Sequence, residues 1–347
     1  MIDAVKKSLD YYTQAFGPYQ HRQVRIVEFP RYGDFAQSFA GTIPYSEGIG
    51  FIADVKNDDV DYPFFVTAHE VAHQWWGHQL VPADVQGGAM LSESLAEYSA
   101  LMVMEKEYGR GQIGRFLRHE LDGYLQGRTA ERRAEMPLAL VENQQYIHYN
   151  KGALAMYALR DFVGEAAVNG ALRAFLEETR NATGPYPTSR DLLRHLRAAT
   201  PDSLQPVIGD LFETVTLWDL RATRAEGTEL PDGRYEVRLT VSARKLRASP
   251  LGEETEVPMD DFVEIGLFGR DEDEPIHRVK ERFTGRPRTF RIVVDERPVR
   301  AGIDPLHKLI DRDLDDNVVD VTRRPGTPVR RARPDSARRD TARDTTR

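Results

Sequence analysis

The pattern of apolar and polar positions divides the chain into a helical part and a strand-rich part. Between residues 64 and 218, apolar positions recur mostly at helical spacing. Leu95, Tyr98 and Met102, for example, share one face of a helix drawn through them. This spacing predicts that helices dominate the middle of the chain.

The N-terminal part mixes both periodicities. Residues 3–16 have helical character, whereas residues 23–29 alternate in polarity as a strand does. The glycine-rich stretch 41–50 predicts a further strand with turns.

After Trp218 the pattern changes to alternation. Tyr235, Val237, Leu239 and Val241 alternate with polar residues, which predicts a half-buried strand. A Pro-Asp-Gly turn signal at residues 231–233 precedes it, and residues 290–294 repeat the alternation. Residues 219–322 are therefore expected to form a small β-sandwich.

These patterns predict an α+β protein with three parts: a mainly helical domain with helical extension over residues 1–218, the β-sandwich-like domain over 219–322, and a tail over 323–347. The tail contains nine Arg and three Asp with almost no apolar residue, and it is expected to be disordered.

Composition and charge narrow the class of function. The chain has 40% hydrophobic and 29% charged residues and no apolar run of membrane-spanning length. It also lacks the layout of a signal peptide, so we expect a soluble chain that is cytoplasmic by default. The net charge is −8 although the tail is basic, and an acidic body argues against nucleic acid as the main partner. Cysteine is absent, so a metal site must use His and carboxylates.

The chemistry is concentrated in the segment from Thr67 to Gly77, which contains His69, Glu70 and His73. Residues four apart lie on one helix face, so both imidazoles can bind one ion. Glu70 then lies beside that ion and can take a proton from a water. The alternative is a partly exposed helix that happens to carry two histidines.

A second acidic helix can complete the site. Glu93 and Glu97 are four apart and follow the second His by one loop, and Ser92 is predicted to cap this helix. Zinc suits two neutral imidazoles and one carboxylate, with a fourth position for water. We assign Glu93 to one Zn2+ per chain. Glu97 either holds a His ring or is a plain surface carboxylate.

The residues around this motif resemble those of the gluzincin zinc aminopeptidases of the aminopeptidase N type. His-Glu-x-x-His continues here as Gln-Trp-Trp-Gly, and Leu-Ser-Glu-Ser at residues 91–94 resembles the Leu-Asn-Glu-Gly of that family. Nineteen residues separate His73 from Glu93, one more than is usual in the family. The resemblance implies a thermolysin-like catalytic domain and an aminopeptidase acting on peptides with a free N-terminus.

The resemblance also implies two substrate-facing residues. Tyr149 heads a Tyr-x-Lys-Gly sequence, whose tyrosine donates a hydrogen bond to the oxyanion in this family. Glu47, in Ser-Glu-Gly-Ile-Gly, retains only the Glu of the family motif Gly-x-Met-Glu-Asn, which binds the substrate amine. Glu47 is thus either the amine binder or an exposed loop carboxylate.

Because the amine-binding motif is only partly matched, a zinc endopeptidase on the same scaffold is an alternative. Family members usually carry a β-rich domain ahead of this region, and the sequence also resembles a bacterial branch in which the peptidase is fused to an ABC-transporter permease. A membrane permease or the β-rich domain is therefore an alternative partner, and a non-catalytic zinc-bearing module associated with a permease is a further alternative. The oligomeric state is left open.

Overall fold

The computed structural model describes residues 1–56, 60–270 and 274–323. Its helices are α1 Ile2–Ala15, α2 Glu47–Gly50, α3 Tyr62–Ala72, α4 Leu95–Tyr108, α5 Ile113–Ala130, α6 Gly152–Val163, α7 Glu165–Thr179, α8 Ser189–Ala199 and α9 Gln205–Ile208. Its strands are β1 Arg25–Phe29, β2 Thr42–Ser46, β3 Thr216–Glu229, β4 Tyr235–Ala248, β5 Glu254–Val257, β6 Asp261–Phe268, β7 Pro275–Phe283, β8 Arg288–Val294, β9 Arg300–Ile303 and β10 Val318–Arg323. The predicted change from helices to strands is confirmed, with the first long strand beginning at Thr216.

Helix α3 lies at the centre of the helical part. It begins where the Asp61 side chain accepts a hydrogen bond from the Phe64 backbone N–H at 3.0 Å. Its residues are buried on nearly every side, because α1 and α4 both pack against it. Tyr12 of α1 donates a 2.9 Å hydrogen bond to the carbonyl of Ala68. A helix buried in this way holds its polar side chains in fixed directions.

Three short π-helical turns interrupt the helical part, at Met90–Ser94, Ile147–Lys151 and Gly209–Glu213. The first leads directly into α4 and the second into α6. Turns of this type are rare and often occur at functional sites. Two of them carry predicted site residues.

The strand-rich part is consistent with the expected sandwich. Among the described residues, β3, β4, β5 and β8 form one antiparallel group, and β6, β7 and β9 form another. Strand β10 joins them, because residues 321–323 pair with β3 and residues 318–320 pair with β9. The division into domains at residues 218 and 322 stays a prediction.

The expected tail begins at Arg323, which is the last residue of β10, and residues 324–347 lie outside the described ranges. In the part of the chain that the structure describes, every helix is too short or too polar to cross a bilayer.

Candidate metal centre

Helix α3 directs His69 and His73 to one point. Their Nε2 atoms lie 3.0 Å apart, and their ring centroids lie 4.6 Å apart. The helical spacing therefore brings both imidazoles together as predicted. His69 is buried, and His73 is only slightly more accessible.

Glu93 reaches the same point from the π-helical turn Met90–Ser94. Its Oε2 atom is 3.3 Å from His69 Nε2 and 3.2 Å from His73 Nε2. One ligand atom from each of the three residues lies within 4.8 Å of the other two. The extra residue between His73 and Glu93 therefore does not keep this carboxylate away from the rings.

The predicted cap of the second helix is wrong. The chain is already helical at Ala89, and the Ser92 hydroxyl donates back to the Ala89 carbonyl at 3.4 Å. Ser92 lies inside the π-helical turn Met90–Ser94, whose residues Met90 and Leu91 are buried, so the helical backbone starts ahead of the predicted cap.

An acceptor oxygen beside the second nitrogen of each ring favours a proton on that nitrogen. His73 Nδ1 lies 2.9 Å from the Trp76 carbonyl oxygen, which can only accept, so Nδ1 must donate. His69 Nδ1 lies 3.0 Å from Glu97 Oε1. In neutral rings, both Nε2 atoms then present lone pairs to each other and to the Glu93 carboxylate. Three atoms that present lone pairs to one another repel, and a divalent cation between them would remove that repulsion.

Glu97 is not a surface residue. Its exposed fraction is 5%, and its carboxylate lies against His69 on the side away from Glu93. The alternative of a plain surface carboxylate is wrong. A carboxylate in this position orients the His69 ring and increases its basicity.

The carboxylates dominate the electrostatics of the site. Burial by itself would lower the pKa of His69, but Glu97 and Glu93 outweigh burial and raise that pKa well above its usual value. Burial would likewise raise the pKa of Glu93, but its contacts with His69 and His73 hold it far below the usual range. The pocket thus favours positive charge at the point where the ligands converge.

Glu70 follows His69 on the same helix and is 6% exposed. Its Oε2 atom makes no hydrogen bond within the described residues. Burial raises the pKa of Glu70, while His69 and His73 oppose that shift. A carboxylate with a raised pKa and a free oxygen is suited to accept and return a proton.

Tyr149 enters the site on the second π-helical turn, Ile147–Lys151. Its ring centroid lies 5.8 Å from that of His69 and 4.7 Å from that of His148. Burial raises the pKa of Tyr149 strongly, and Glu93 adds to the shift. The phenol therefore stays protonated and remains a hydrogen-bond donor.

Glu47 is the first residue of α2. Its Oε1 atom accepts a 3.1 Å hydrogen bond from the backbone N–H of Arg31, and the Ser46 hydroxyl caps the helix by accepting from Gly48 N–H. The carboxylate is half-buried at the end of strand β2. Its role with substrate stays a prediction.

Sequence reasoning missed Glu120 on α5. This carboxylate is 3% exposed and accepts a 2.9 Å hydrogen bond from Asn150 Nδ2, next to Tyr149. Burial, and then Glu97, raise the pKa of Glu120 well above its usual value. A signal was available, since Glu120 occupies a core position of the apolar stripe formed by Phe116, Leu117, Leu121 and Tyr124.

Residues 1–212 match the family model described as Peptidase family M1 domain. The chain is 27% identical over 187 residues to endoplasmic reticulum aminopeptidase 2 of Homo sapiens. The aligned region covers 51% of this chain and 19% of that protein. It is 27% identical over 196 residues to "Probable aminopeptidase 1" of Sulfurisphaera tokodaii. That aligned region covers 53% of this chain and 25% of that protein. The chain thus spans a quarter or less of the length of these relatives.

The fold has a solved counterpart. The crystal structure of Legionella pneumophila aminopeptidase A in complex with aspartic acid superimposes with a TM-score of 0.56 at 16% sequence identity. The match covers 90% of this chain and 34% of that chain, so it includes most of the strand-rich part. This similarity shows a shared fold.

Proposed function

The chain belongs to peptidase family M1, and from that premise we propose that it is a zinc-dependent aminopeptidase that releases the N-terminal residue of peptides. The observation that carries the proposal is the convergence of His69 Nε2, His73 Nε2 and Glu93 Oε2 within hydrogen-bonding distance of one another. Relatives named as aminopeptidases support the reaction class.

The three converging residues would hold one Zn2+. Two neutral imidazoles and a carboxylate form a common catalytic zinc site that leaves a position open. When bound, zinc supplies Lewis-acid chemistry, polarising a carbonyl and lowering the pKa of water. The two rings are favoured in the tautomer that binds a metal, His73 by its hydrogen bond to the Trp76 carbonyl and His69 by the Glu97 carboxylate 3.0 Å from its Nδ1 atom.

Glu70 is the proposed general base and acid. Its carboxylate takes the proton of the attacking water at Oε2 and passes it to the nitrogen of the leaving amine. Its burial favours this exchange, because a raised pKa brings the carboxylate nearer to the pH at which it works.

Tyr149 and Glu47 are proposed to bind the substrate. The protonated Tyr149 hydroxyl donates a hydrogen bond to the oxyanion that develops on the attacked carbonyl. Glu47 binds the free α-amine by a charge-assisted hydrogen bond, which selects the end of a peptide over its interior.

The experiment that tests this function compares wild type with Glu70→Gln on fluorogenic aminoacyl substrates. The wild type should turn over, lose activity on chelation and recover it when zinc is added back. Glu70→Gln should bind the same amount of zinc and lose turnover by about a thousandfold or more, since the proton acceptor is removed without removing a ligand. A fully active Glu70→Gln variant, or wild type that takes up no zinc, would overturn the proposal.

A further inference from the structure

The π-helical turn that carries Tyr149 is anchored by contacts outside the set of converging residues His69, His73 and Glu93. The next two residues along the chain, Asn150 and Lys151, reach two buried carboxylates. Asn150 Nδ2 donates to Glu120 Oε2 at 2.9 Å, and Lys151 Nζ lies 3.9 Å from Glu135 Oε1. Neither Lys151 nor Glu135 touches the metal ligands described above.

Lysine is an unusual residue for a position that is so deeply buried. Lys151 is 1% exposed, its Nζ atom lies 5.7 Å from the Tyr124 ring centroid, and it makes no hydrogen bond within the described part of the chain. Burial lowers the pKa of Lys151 to about 8, although Glu135 opposes the shift. Burying an ammonium costs free energy, and a methionine would fill the same space at lower cost. A role other than packing is therefore worth testing.

Glu135 is a fixed anchor for this lysine. Its Oε1 atom accepts from the Tyr124 hydroxyl at 2.5 Å, and its Oε2 atom accepts from Arg128 Nε at 2.6 Å. Its backbone N–H donates to the Pro250 carbonyl at 2.8 Å. Both side-chain donors belong to α5, so the carboxylate cannot move without that helix.

The turn also lies directly on α5. A Cβ atom added at Gly127 would lie 2.3 Å from Tyr146 Cβ, and one added at Gly123 would lie 2.6 Å from Asn150 Nδ2. At residue 127 only glycine permits this approach, because the Tyr146 Cβ atom is attached directly to the backbone. The segment 146–151 thus packs against one face of α5. The Lys151 ammonium lies near the same helix, because Glu135 is bound by two side chains of α5.

We propose that Lys151, held by Glu135, is a positioning residue that fixes the turn so that the Tyr149 hydroxyl points to the metal centre. The inference rests on the proposed function, because it assigns Lys151 an effect on turnover that passes through Tyr149. An oxyanion donor must be held within about 0.5 Å of its productive position, and a displacement of about 1 Å can cost a hundredfold in rate.

The test is a double-mutant cycle on kcat and KM with a fluorogenic aminoacyl substrate. Lys151→Met should lower kcat about tenfold and leave KM unchanged, because the Tyr149 contact forms in the transition state. In a Tyr149→Phe background the same change should cost nothing further, since the hydroxyl it positions is already gone.

Lys308→Met is the matched control. Lys308 is also a buried lysine with carboxylate partners, Asp161 and Glu264 at 3.0 and 2.7 Å, but it lies in the strand-rich part. This variant should unfold at a lower temperature than wild type and keep its kcat while folded. If Lys151→Met does not fold, Glu135→Gln serves in its place: it removes the charge that faces Lys151 but also replaces the oxygen bonded to Arg128 Nε with an NH2 group. Any loss that arises from Arg128 and does not pass through Tyr149 appears equally in the Tyr149→Phe background.

Two outcomes would overturn the inference. Equal losses from Lys151→Met in the wild-type and Tyr149→Phe backgrounds would give Lys151 a purely structural role. Full activity of Tyr149→Phe alone would remove the residue through which Lys151 acts. Neither outcome affects the zinc peptidase assignment, which the Glu70→Gln comparison tests separately.

Discussion

The Ser94 hydroxyl donates a 2.6 Å hydrogen bond to the backbone carbonyl of His148, and this bond joins the two π-helical turns of the site. Glu93 precedes Ser94 on one turn, and Tyr149 follows His148 on the other. Glu93, the proposed third metal ligand, and Tyr149, the proposed oxyanion donor, are therefore linked by a hydrogen bond between their immediate neighbours in the chain. A change at this junction should alter both positions at once.

Gly152→Ala should disturb that junction. A Cβ atom at residue 152 would lie 2.2 Å from Ser94 Oγ and 2.5 Å from Ser94 Cβ, so the two turns must separate. We expect turnover to fall by about tenfold or more and stability to fall by about 1–3 kcal/mol, as for other overpacked cores. Steady-state kinetics and urea unfolding measure the two effects.

The matched control for that variant is Gly170→Ala, within helix α7. A Cβ atom there would meet no atom within 4 Å. The change should leave kcat unaltered and stabilise the protein by about 0.4–1 kcal/mol through the unfolded state. If both variants behave alike, the contact between the two turns has no part in turnover.

Glu97→Gln should weaken zinc binding without removing a ligand. The carboxylate lies 3.0 Å from His69 Nδ1, and a neutral amide orients the ring less strongly and makes it less basic. We expect the zinc affinity to fall about 10- to 100-fold, measured by competition with a chromogenic chelator. Glu178→Gln is the control, because Glu178 lies 2.8 Å from His195 in an exposed pair elsewhere. An unchanged zinc affinity of Glu97→Gln would contradict the role given to this residue.

Local spacing explains why part of the site could be predicted. His69, Glu70 and His73 lie within one helical turn, so their geometry follows from the helix alone. Glu93 was assigned from its place one loop beyond the second His, and the family resemblance supported it, but its approach to the two rings depends on the packing of α4 against α3. The π-helical turns could not be predicted, because no sequence pattern distinguishes them from ordinary helix starts, and the error at Ser92 has that origin.

In the fold, too, features that are local in the sequence could be predicted, and features that depend on distant contacts could not. Alternation at Tyr235 to Val241 located β4, since periodicity is a local property. The pairing of β10 with both β3 and β9 depends on contacts far apart in the chain, and nothing within residues 318–323 specifies two partners. Glu120 differs in this respect, because its place in the apolar stripe of α5 is a local signal, whereas its partner Asn150 comes from another element.

His307 should make stability depend on pH. Burial lowers the pKa of His307 to about 4, and Arg118 adds to the shift. Between this value and the usual pKa of about 6.5, the unfolded chain binds a proton that the folded chain does not. The contribution to stability is thus complete above pH 6.5 and is lost as the pH falls toward 4.

His307→Asn should reduce that loss. The residue has φ of 53°, a conformation that asparagine tolerates well. Urea midpoints at pH 7.5 and 5.0 should differ less for the variant than for wild type. An equal difference in both proteins would show that His307 has an ordinary pKa in the folded state.

Glu47→Gln should separate an aminopeptidase from an endopeptidase. The amide keeps an oxygen that can accept from the Arg31 N–H, now at 3.1 Å, so the local fold should persist while the negative charge is lost. A charge-assisted hydrogen bond to the substrate amine is worth about 1.5–3 kcal/mol, so kcat/KM for peptides with a free N-terminus should fall roughly 10- to 100-fold. Peptides with an acetylated N-terminus should be poor substrates of wild type and variant alike. Asp34→Asn is the control, because this exposed carboxylate lies in the loop between β1 and β2 and also pairs with Arg31. Wild type that cleaves free and acetylated peptides equally well would instead favour an endopeptidase on the same metal centre, and the Glu47 charge would then have no substrate amine to bind.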